Sequence, residues 1–289
     1  MVALRKITTH TIQDTLRDAV IKLQDAKFAS GSLDARILLQ HVLHVSREEL
    51  LLAMDEPMSE AQRHEYFSLI DLRLKHHPIS HLIGKREFYG MDFKVTNDTL
   101  DPRPDSETLI DAVLEYCTDS QKTYKILDLG VGTGCLCLSL LKAISNATAI
   151  GVDISEAALA VAKENTIRLG LQSRIAFLAS NWCEKVAGTF DIIVANPPYI
   201  PSASIESLAP EVALHEPKLA LDGGKDGLDC YRQIMKSLPE LLAEDGVAFF
   251  EIGMGQQDAL AQLAHEQGLN VMAMKKDLGG IIRCVMITR

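Results

Sequence analysis

Residues 125–141 read K-I-L-D-L-G-V-G-T-G-C-L-C-L-S-L-L, a short apolar run, three alternating glycines and a longer apolar run. The first run has the length of a buried β-strand, and the second predicts a helix that begins at about Cys135. Glycines at alternating positions let the backbone turn sharply and come close to a ligand. The stretch therefore predicts a strand, a ligand-binding turn and a helix in succession.

From about residue 105 onward, short apolar segments alternate with segments of helical periodicity. Strands are predicted at Lys125–Leu129, Thr148–Val152, Arg174–Leu178, Asp191–Ala195, Val247–Ile252, Val271–Met274 and Arg283–Ile287. Helices such as Glu156–Leu169 and Tyr231–Leu242 separate them. This alternation is typical of an α/β protein whose largely parallel sheet is covered on both faces. In such sheets ligands bind beyond the carboxyl ends of the strands.

The first 80 residues predict a small helical bundle, because apolar side chains recur at helical spacing from Ile12 to Ala26. Helix starts are predicted at three serines: Ser32, Ser46 with Glu49, and Ser59 with Gln62, the last two as capping boxes.

Aromatic and apolar residues around Gly90-Met91-Asp92 predict a β-hairpin between the bundle and the sheet. They are Phe88, Tyr89, Phe93 and Val95. The predicted domains are therefore a helical domain over residues 1–82, a hairpin linker over 83–102 and an α/β domain over 103–289.

The composition indicates a folded protein with a substantial core, since 47% of the 289 residues are hydrophobic. Six cysteines without a C-x-x-C pair are typical of buried thiols in a reducing compartment. No stretch approaches the roughly 20 apolar residues that span a bilayer, and the N-terminus lacks the apolar region of a signal peptide. We therefore expect a cytoplasmic protein with no membrane partner.

The net charge is −10, from 29 basic and 39 acidic residues, and most of the acidic excess lies past residue 82. A surface that binds nucleic-acid phosphates needs positive charge. The charge therefore disfavours a direct nucleic-acid partner for the larger domain, although it leaves room for a local basic groove.

The glycine turn differs from two common phosphate-binding patterns. The fingerprint G-x-G-x-x-G has its third glycine where this chain has Cys135, and no G-x-x-x-x-G-K-[ST] loop is present. The second strand ends in Asp153, 19 residues past Gly134, where a carboxylate can accept hydrogen bonds from both ribose hydroxyls. The alternative is that Asp153 belongs to the cap of the next helix, although Ser155 can do that. Together these features predict a nucleoside site without a pyrophosphate, and S-adenosylmethionine fits it.

The segment Asn196-Pro197-Pro198-Tyr199 follows the fourth predicted strand. Proline donates no N–H and restricts the residue before it, so the segment is stiff and rich in acceptors. The Asn196 side-chain oxygen and the Pro197 carbonyl could grip both N–H bonds of an amide or exocyclic NH2, and Tyr199 could stack on its plane. The segment is therefore suited to methyl transfer to nitrogen, and a rigid loop without chemistry is the alternative.

These motifs resemble those of class I S-adenosylmethionine-dependent methyltransferases of the N-methylating branch. Within that branch the chain resembles the release factor glutamine methyltransferase family, and the likeness covers nearly all of the chain past residue 80. The segments that carry it are FYGMDFKVTNDTLDPRPDSETL, VDISEAALAVAKEN, NPPYIP, HEPKLALDGGKDGLDCYRQI, FFEIGMGQQ and KDLGGIIRCV. The resemblance implies a Rossmann-like, seven-stranded methyltransferase sheet behind a small N-terminal helical domain.

The resemblance also implies a reaction, methylation of the side-chain amide of the glutamine in the Gly-Gly-Gln loop of class 1 peptide chain release factors. S-adenosylmethionine would be the cofactor, and the N-terminal domain would help to recognise the release factor. The implied cofactor contacts are Gly130, Val131, Gly132, Thr133 and Gly134 on the methionine part, Asp153 on the ribose, Trp182 on the adenine, and Asn196. The implied substrate contacts are Asn196, Pro197, Pro198 and Tyr199, of which Asn196, Pro197 and Tyr199 would be catalytic.

Two positions depart from the pattern that is common in this family. Val131 stands where threonine is common, so any hydroxyl contact is lost there, and Asn181 stands before Trp182 where aspartate is common. The segments Phe88-Tyr89-Gly90 and Pro102-Arg103-Pro104 are further candidates to line the site, whereas His215-Glu216-Pro217 is interpreted as structural.

Two other functions compete with this interpretation. A nucleic-acid N-methyltransferase shares the cofactor turn and Asn196–Tyr199, but it should carry a basic binding region. A cofactor-binding adaptor without activity would use the same fold, but it would have no need of a grip on a methyl acceptor.

Overall fold

The computed structural model describes residues 10–289, which divide between Gly84 and Lys85 into two units. Residues 1–9, where the first predicted domain begins, lie outside the described residues. The predicted hairpin groups with the larger unit, in whose core Phe88 and Phe93 are buried. The boundaries 1–82, 83–102 and 103–289 stay a prediction.

Within its described residues the smaller unit is helical. Its helices are α1 (Ile12–Asp25), α2 (Gly31–Leu43), α3 (Arg47–Leu52), α4 (Glu60–Arg73) and α5 (Ile79–Ile83). Both predicted capping boxes are present, at the starts of α3 and α4. The prediction that Ser32 caps α2 was wrong, because the helix already begins at Gly31. Ser30, two residues earlier, is the N-cap residue, and its hydroxyl donates to the carboxylate of Asp34 in the first turn at 2.9 Å.

A buried ion pair joins α2 to α4. The guanidinium of Arg73 donates from Nε to Asp34 Oδ2 at 2.8 Å, and both side chains are 6% exposed. The same guanidinium lies 4.5 Å from the ring centre of Phe28, and the Tyr66 hydroxyl donates to the Ala35 carbonyl at 2.9 Å. These contacts cross an otherwise apolar core.

We expect the substitution Asp34→Ala to lower the free energy of unfolding by about 3 kcal/mol, because it removes the carboxylate that faces a buried guanidinium. The measurement is a urea titration of the full chain at pH 7, followed by far-UV circular dichroism. Asp71→Ala, at an exposed position of α4, is the control and should change the value by less than about 0.5 kcal/mol. An equal midpoint for the two variants would contradict the expectation.

The larger unit starts with the hairpin β1 (Lys85–Phe88) and β2 (Met91–Lys94). Its two-residue turn is Tyr89-Gly90, with φ values of 50° and 74°. Positive φ at both central residues gives a turn whose twist matches that of the strands. The sequence pattern had predicted Met91 and Asp92 at the turn. In the structure they belong to β2.

A seven-stranded sheet follows, in the order β5-β4-β3-β6-β7-β9-β8. Its strands are β3 (Lys125–Leu129), β4 (Thr148–Asp153), β5 (Ile175–Ala179), β6 (Phe190–Ala195), β7 (Leu242–Glu251), β8 (Asn270–Lys276) and β9 (Ile282–Thr288). The helices are α6 (Glu107–Tyr116), α7 (Cys135–Ala143), α8 (Glu156–Leu169), α9 (Pro210–His215), α10 (Asp229–Leu241) and α11 (Gln257–Glu266). All seven predicted strands are present, although β7 begins at Leu242 and not at the predicted Val247. β9 runs opposite in direction to the other six strands.

Both faces of the sheet are covered, as the apolar strands predict. In β6, Ile192 and Val194 join one buried cluster, and the alternate residues Ile193 and Ala195 join the other. Successive side chains of a strand point to opposite faces, so a run without polar residues requires a core on each side. The parallel strands then end at one edge, where the turns after β3, β4 and β6 lie together.

Candidate functional site

A cavity of about 410 Å³ opens at this edge of the sheet, and its lining residues belong to the larger unit. The predicted site residues that line it are Gly130, Val131, Gly132, Thr133, Asp153, Trp182, Asn196 and Pro198. Gly134, Pro197 and Tyr199 do not line it. The volume falls within the range of small-molecule sites. Four separate turns of the chain therefore contribute to one cavity.

Backbone hydrogen bonds attach the glycine turn to the end of β4. The N–H groups of Gly130 and Val131 both donate to the Val152 carbonyl at 2.8 Å, and the Gly132 N–H donates to Asp153 Oδ2 at 2.9 Å. The other oxygen, Asp153 Oδ1, accepts from the Ser155 N–H at 2.9 Å. Burial raises the pKa of Asp153, and the backbone donors oppose that rise. The carboxylate is thus held at the cavity wall by the turn that it supports.

The three glycines of the turn have φ values of 79°, 53° and 82°, in the left-handed region that favours glycine. Gly130 has a second constraint, because a Cβ there would lie 3.3 Å from the Trp182 ring. Gly134 faces α7, where a Cβ would lie 2.9 Å from Leu138 Cδ1. Gly134 therefore allows the turn to pack on its own helix, away from the cavity.

Of the three residues that follow Asn196, only Pro198 lines the cavity. Pro198 lines the cavity, whereas Pro197 is buried. The Tyr199 hydroxyl donates to Glu251 Oε1 at 3.4 Å, and its carbonyl accepts from Gln256 Nε2 at 3.0 Å. Burial raises the pKa of the Tyr199 hydroxyl. These contacts fix the hydroxyl and the backbone of Tyr199, and the predicted stacking of its ring on the substrate stays a prediction.

Asn196 is held from the side by a residue that sequence reasoning did not single out. Its Nδ2 donates to Ser106 Oγ at 3.2 Å, and Ser106 also lines the cavity. Ser106 is the last residue of a short 3₁₀ turn, Pro104–Ser106, and directly precedes α6. The one signal in the sequence was the proline-rich Pro102-Arg103-Pro104 segment beside it.

Of the flanking segments, Pro102 and Arg103 line the cavity, as expected, whereas the hairpin turn Phe88-Tyr89-Gly90 does not. Phe88 is buried in the core of the sheet unit, whereas Tyr89 is half-buried and Gly90 is exposed, and a role of this turn in the site stays a prediction. Arg103 forms an ion pair of 2.6 Å with Glu216, whose side chain is 1% exposed.

This ion pair belongs to the segment that was interpreted as structural. Burial raises the pKa of Glu216 to about 7, and the Arg103 guanidinium opposes that rise. Pro217, the next residue, lines the cavity. The pair therefore connects the two chain segments that flank the cavity.

Comparison with known proteins gives the family. A model of the PrmC N-terminal domain matches residues 14–84, and a model of the methyltransferase small domain matches residues 104–224. A release factor glutamine methyltransferase of Rhodospirillum rubrum is 45% identical over 89% of this chain and 78% of its own length. The protein of the same name from Agrobacterium fabrum is 38% identical over 96% of this chain and 98% of its own length. The chain belongs to the release factor glutamine methyltransferase family. The predicted family is confirmed.

The fold of this family member is also found in solved structures. A 16S rRNA methyltransferase of T. thermophilus, in complex with AdoMet and guanosine, matches 71% of this chain and 49% of its own with a TM-score of 0.50. At 19% identity the likeness concerns the fold alone. It confirms the predicted Rossmann-like methyltransferase sheet. Within residues 10–289, no helix is long and apolar enough to cross a membrane.

Proposed function

We propose that this chain transfers a methyl group from S-adenosylmethionine to the side-chain amide nitrogen of the glutamine in the Gly-Gly-Gln loop of class 1 release factors, in the cytoplasm. The observation that carries the proposal is the position of Asn196. It stands at the end of β6 on a cavity that it shares with the glycine turn and Asp153. The names of its relatives in the family support the same substrate.

The lining residues fit S-adenosylmethionine, whose sulfonium supplies the reactive methyl group. Gly130 to Thr133 present backbone to the cavity for the methionine part, and Gly134 keeps the turn packed on α7. Asp153 takes the ribose hydroxyls, because a half-buried carboxylate makes strong charge-assisted hydrogen bonds. Trp182 offers a flat apolar surface for the adenine.

The Asn196 side-chain oxygen and the Pro197 carbonyl accept the two N–H bonds of the substrate amide. This grip orients the nitrogen lone pair toward the methyl group and favours the pyramidal nitrogen of the transition state. Pro198 lines the approach, and Tyr199 supports the loop and stacks on the amide plane. The nitrogen loses one proton to water as the methyl group is transferred, so no strong base in the chain is required.

The partner is a protein, with no direct role for nucleic acid or membrane. The net charge of −10 supports this, since binding to phosphates favours a basic surface. The smaller helical unit is the part that would recognise the release factor outside its loop.

Methyl transfer from labelled S-adenosylmethionine tests the proposal. The acceptors are a full-length class 1 release factor, the same factor with its loop glutamine changed to alanine, and duplex and single-stranded DNA. We expect label on the intact factor only. Equal label on the Gln→Ala factor, or label on DNA, would overturn the proposal.

A further inference from the structure

A row of buried polar groups runs inward behind Asn196. Ser106, which accepts from Asn196 Nδ2 at 3.2 Å, is 3% exposed. Next to Ser106 lies the carboxylate of Glu251, at the end of β7 and 2% exposed. Its Oε1 accepts from the Tyr199 hydroxyl at 3.4 Å, and among the described residues its Oε2 has no hydrogen-bond partner. The row therefore ends in a carboxylate with an oxygen available to accept.

The chemistry of these groups sets the direction of the hydrogen bonds. A buried serine hydroxyl that accepts one hydrogen bond still has a proton to donate, and an ionised carboxylate can only accept. When the Ser106 hydroxyl donates its proton to Glu251, the oxygen of Ser106 can only accept from Asn196. The side of the Asn196 amide that faces Ser106 must then be the NH2 group. Its oxygen is left for the cavity.

We propose that Ser106 and Glu251 are positioning residues that hold the Asn196 amide with its oxygen toward the substrate nitrogen. The proposal rests on the proposed function, in which that oxygen accepts an N–H of the substrate amide. A reversed Asn196 amide would present its own NH2 group to the substrate NH2 group. Two donors would then face each other, and the grip would be lost.

The protonation of Glu251 adds a second consequence. Burial raises the pKa of this carboxyl to about 7, against the opposing effects of Ser106 and of Arg283 on β9, while Asp105 raises it further. The other titratable groups near it are Tyr199, Tyr231, Cys135 and Cys284. A protonated Glu251 can donate to Ser106, whose own proton is then free to turn toward Asn196. The rate of methyl transfer should therefore rise with pH through about 7.

Glu251→Gln tests the direction of the hydrogen bonds, because glutamine keeps the shape of the side chain but can donate to Ser106. With the full chain and an intact class 1 release factor, we expect kcat to fall at least about tenfold. The KM for the factor and the Kd for S-adenosylmethionine should stay within about threefold, and the rise of kcat through pH 7 should disappear. Ser106→Ala should give the same fall in kcat. Glu244→Gln, at an exposed position of β7, is the matched control and should retain both kcat and its pH dependence.

The outcomes separate the two proposals. Wild-type kcat and pH dependence in both Glu251→Gln and Ser106→Ala would overturn the positioning role. A loss of cofactor binding that matches the loss of kcat would also overturn it, since the residues would then support the cavity in general. If the unchanged chain failed to methylate the intact release factor, the proposed function itself would fall.

Discussion

Asn196→Ala is expected to lower the rate of methyl transfer to a class 1 release factor by about a thousandfold, the size of effect found when a group that stabilises a transition state is removed. The substitution deletes the oxygen that we propose orients the substrate amide, and it leaves Ser106 without its donor. The glycine turn and Asp153 are unaffected, so the Kd for S-adenosylmethionine should rise by no more than about threefold. Single-turnover transfer of labelled methyl and calorimetric titration of the cofactor measure the two quantities.

Asn97→Ala is the matched control for this prediction. Asn97 is also an amide that lines the cavity, but it is exposed, and it stands between the hairpin and Ser106 in the sequence. We expect its rate to stay within about threefold of the unchanged chain. Comparable rates for Asn196→Ala and Asn97→Ala would remove Asn196 from the reaction.

Asp153→Ala is expected to weaken the binding of S-adenosylmethionine by about a hundredfold, because the charge-assisted hydrogen bonds that we propose it makes to the two ribose hydroxyls would be lost. The loss has a structural part as well, since the same carboxylate accepts from the Gly132 and Ser155 N–H groups at 2.9 Å. Isothermal titration calorimetry measures the Kd. At a saturating cofactor concentration, kcat should recover to within about tenfold.

Two further variants separate these contributions. Asp153→Asn keeps one acceptor oxygen and should lose less affinity than Asp153→Ala. Asp98→Asn changes an exposed carboxylate that also lines the cavity and should leave the Kd within about twofold. If Asp98→Asn weakened binding as much as Asp153→Ala, the ribose would have to be placed near Asp98 instead.

The strands of the sheet could be predicted closely because local pattern and burial agree in them. Runs such as Ile192–Ala195 are apolar on both faces, which is compatible with a strand inside a covered sheet and with little else of that length. Helix starts were predictable where a side chain makes the cap, as at Ser46 and Ser59. The start of α2 was not, because Ser30 is bound to Asp34, and Asp34 in turn pairs with Arg73 on another helix.

The site residues also divide into those that local sequence pattern predicts and those that depend on tertiary contacts. The sequence by itself determined the glycine turn, Asp153 and Asn196, because each follows a strand whose end can be read from local pattern, and parallel strands end at one edge of a sheet. Only the tertiary structure decided that Gly134 and Tyr199 do not line the cavity, that Ser106 accepts from Asn196, and that Glu251 lies next to Ser106. Glu251 is 55 residues past Asn196 and Ser106 is 90 residues before it. A hydrogen bond between such distant positions leaves no periodicity in the chain, since it depends on which strands and turns the packed core brings together.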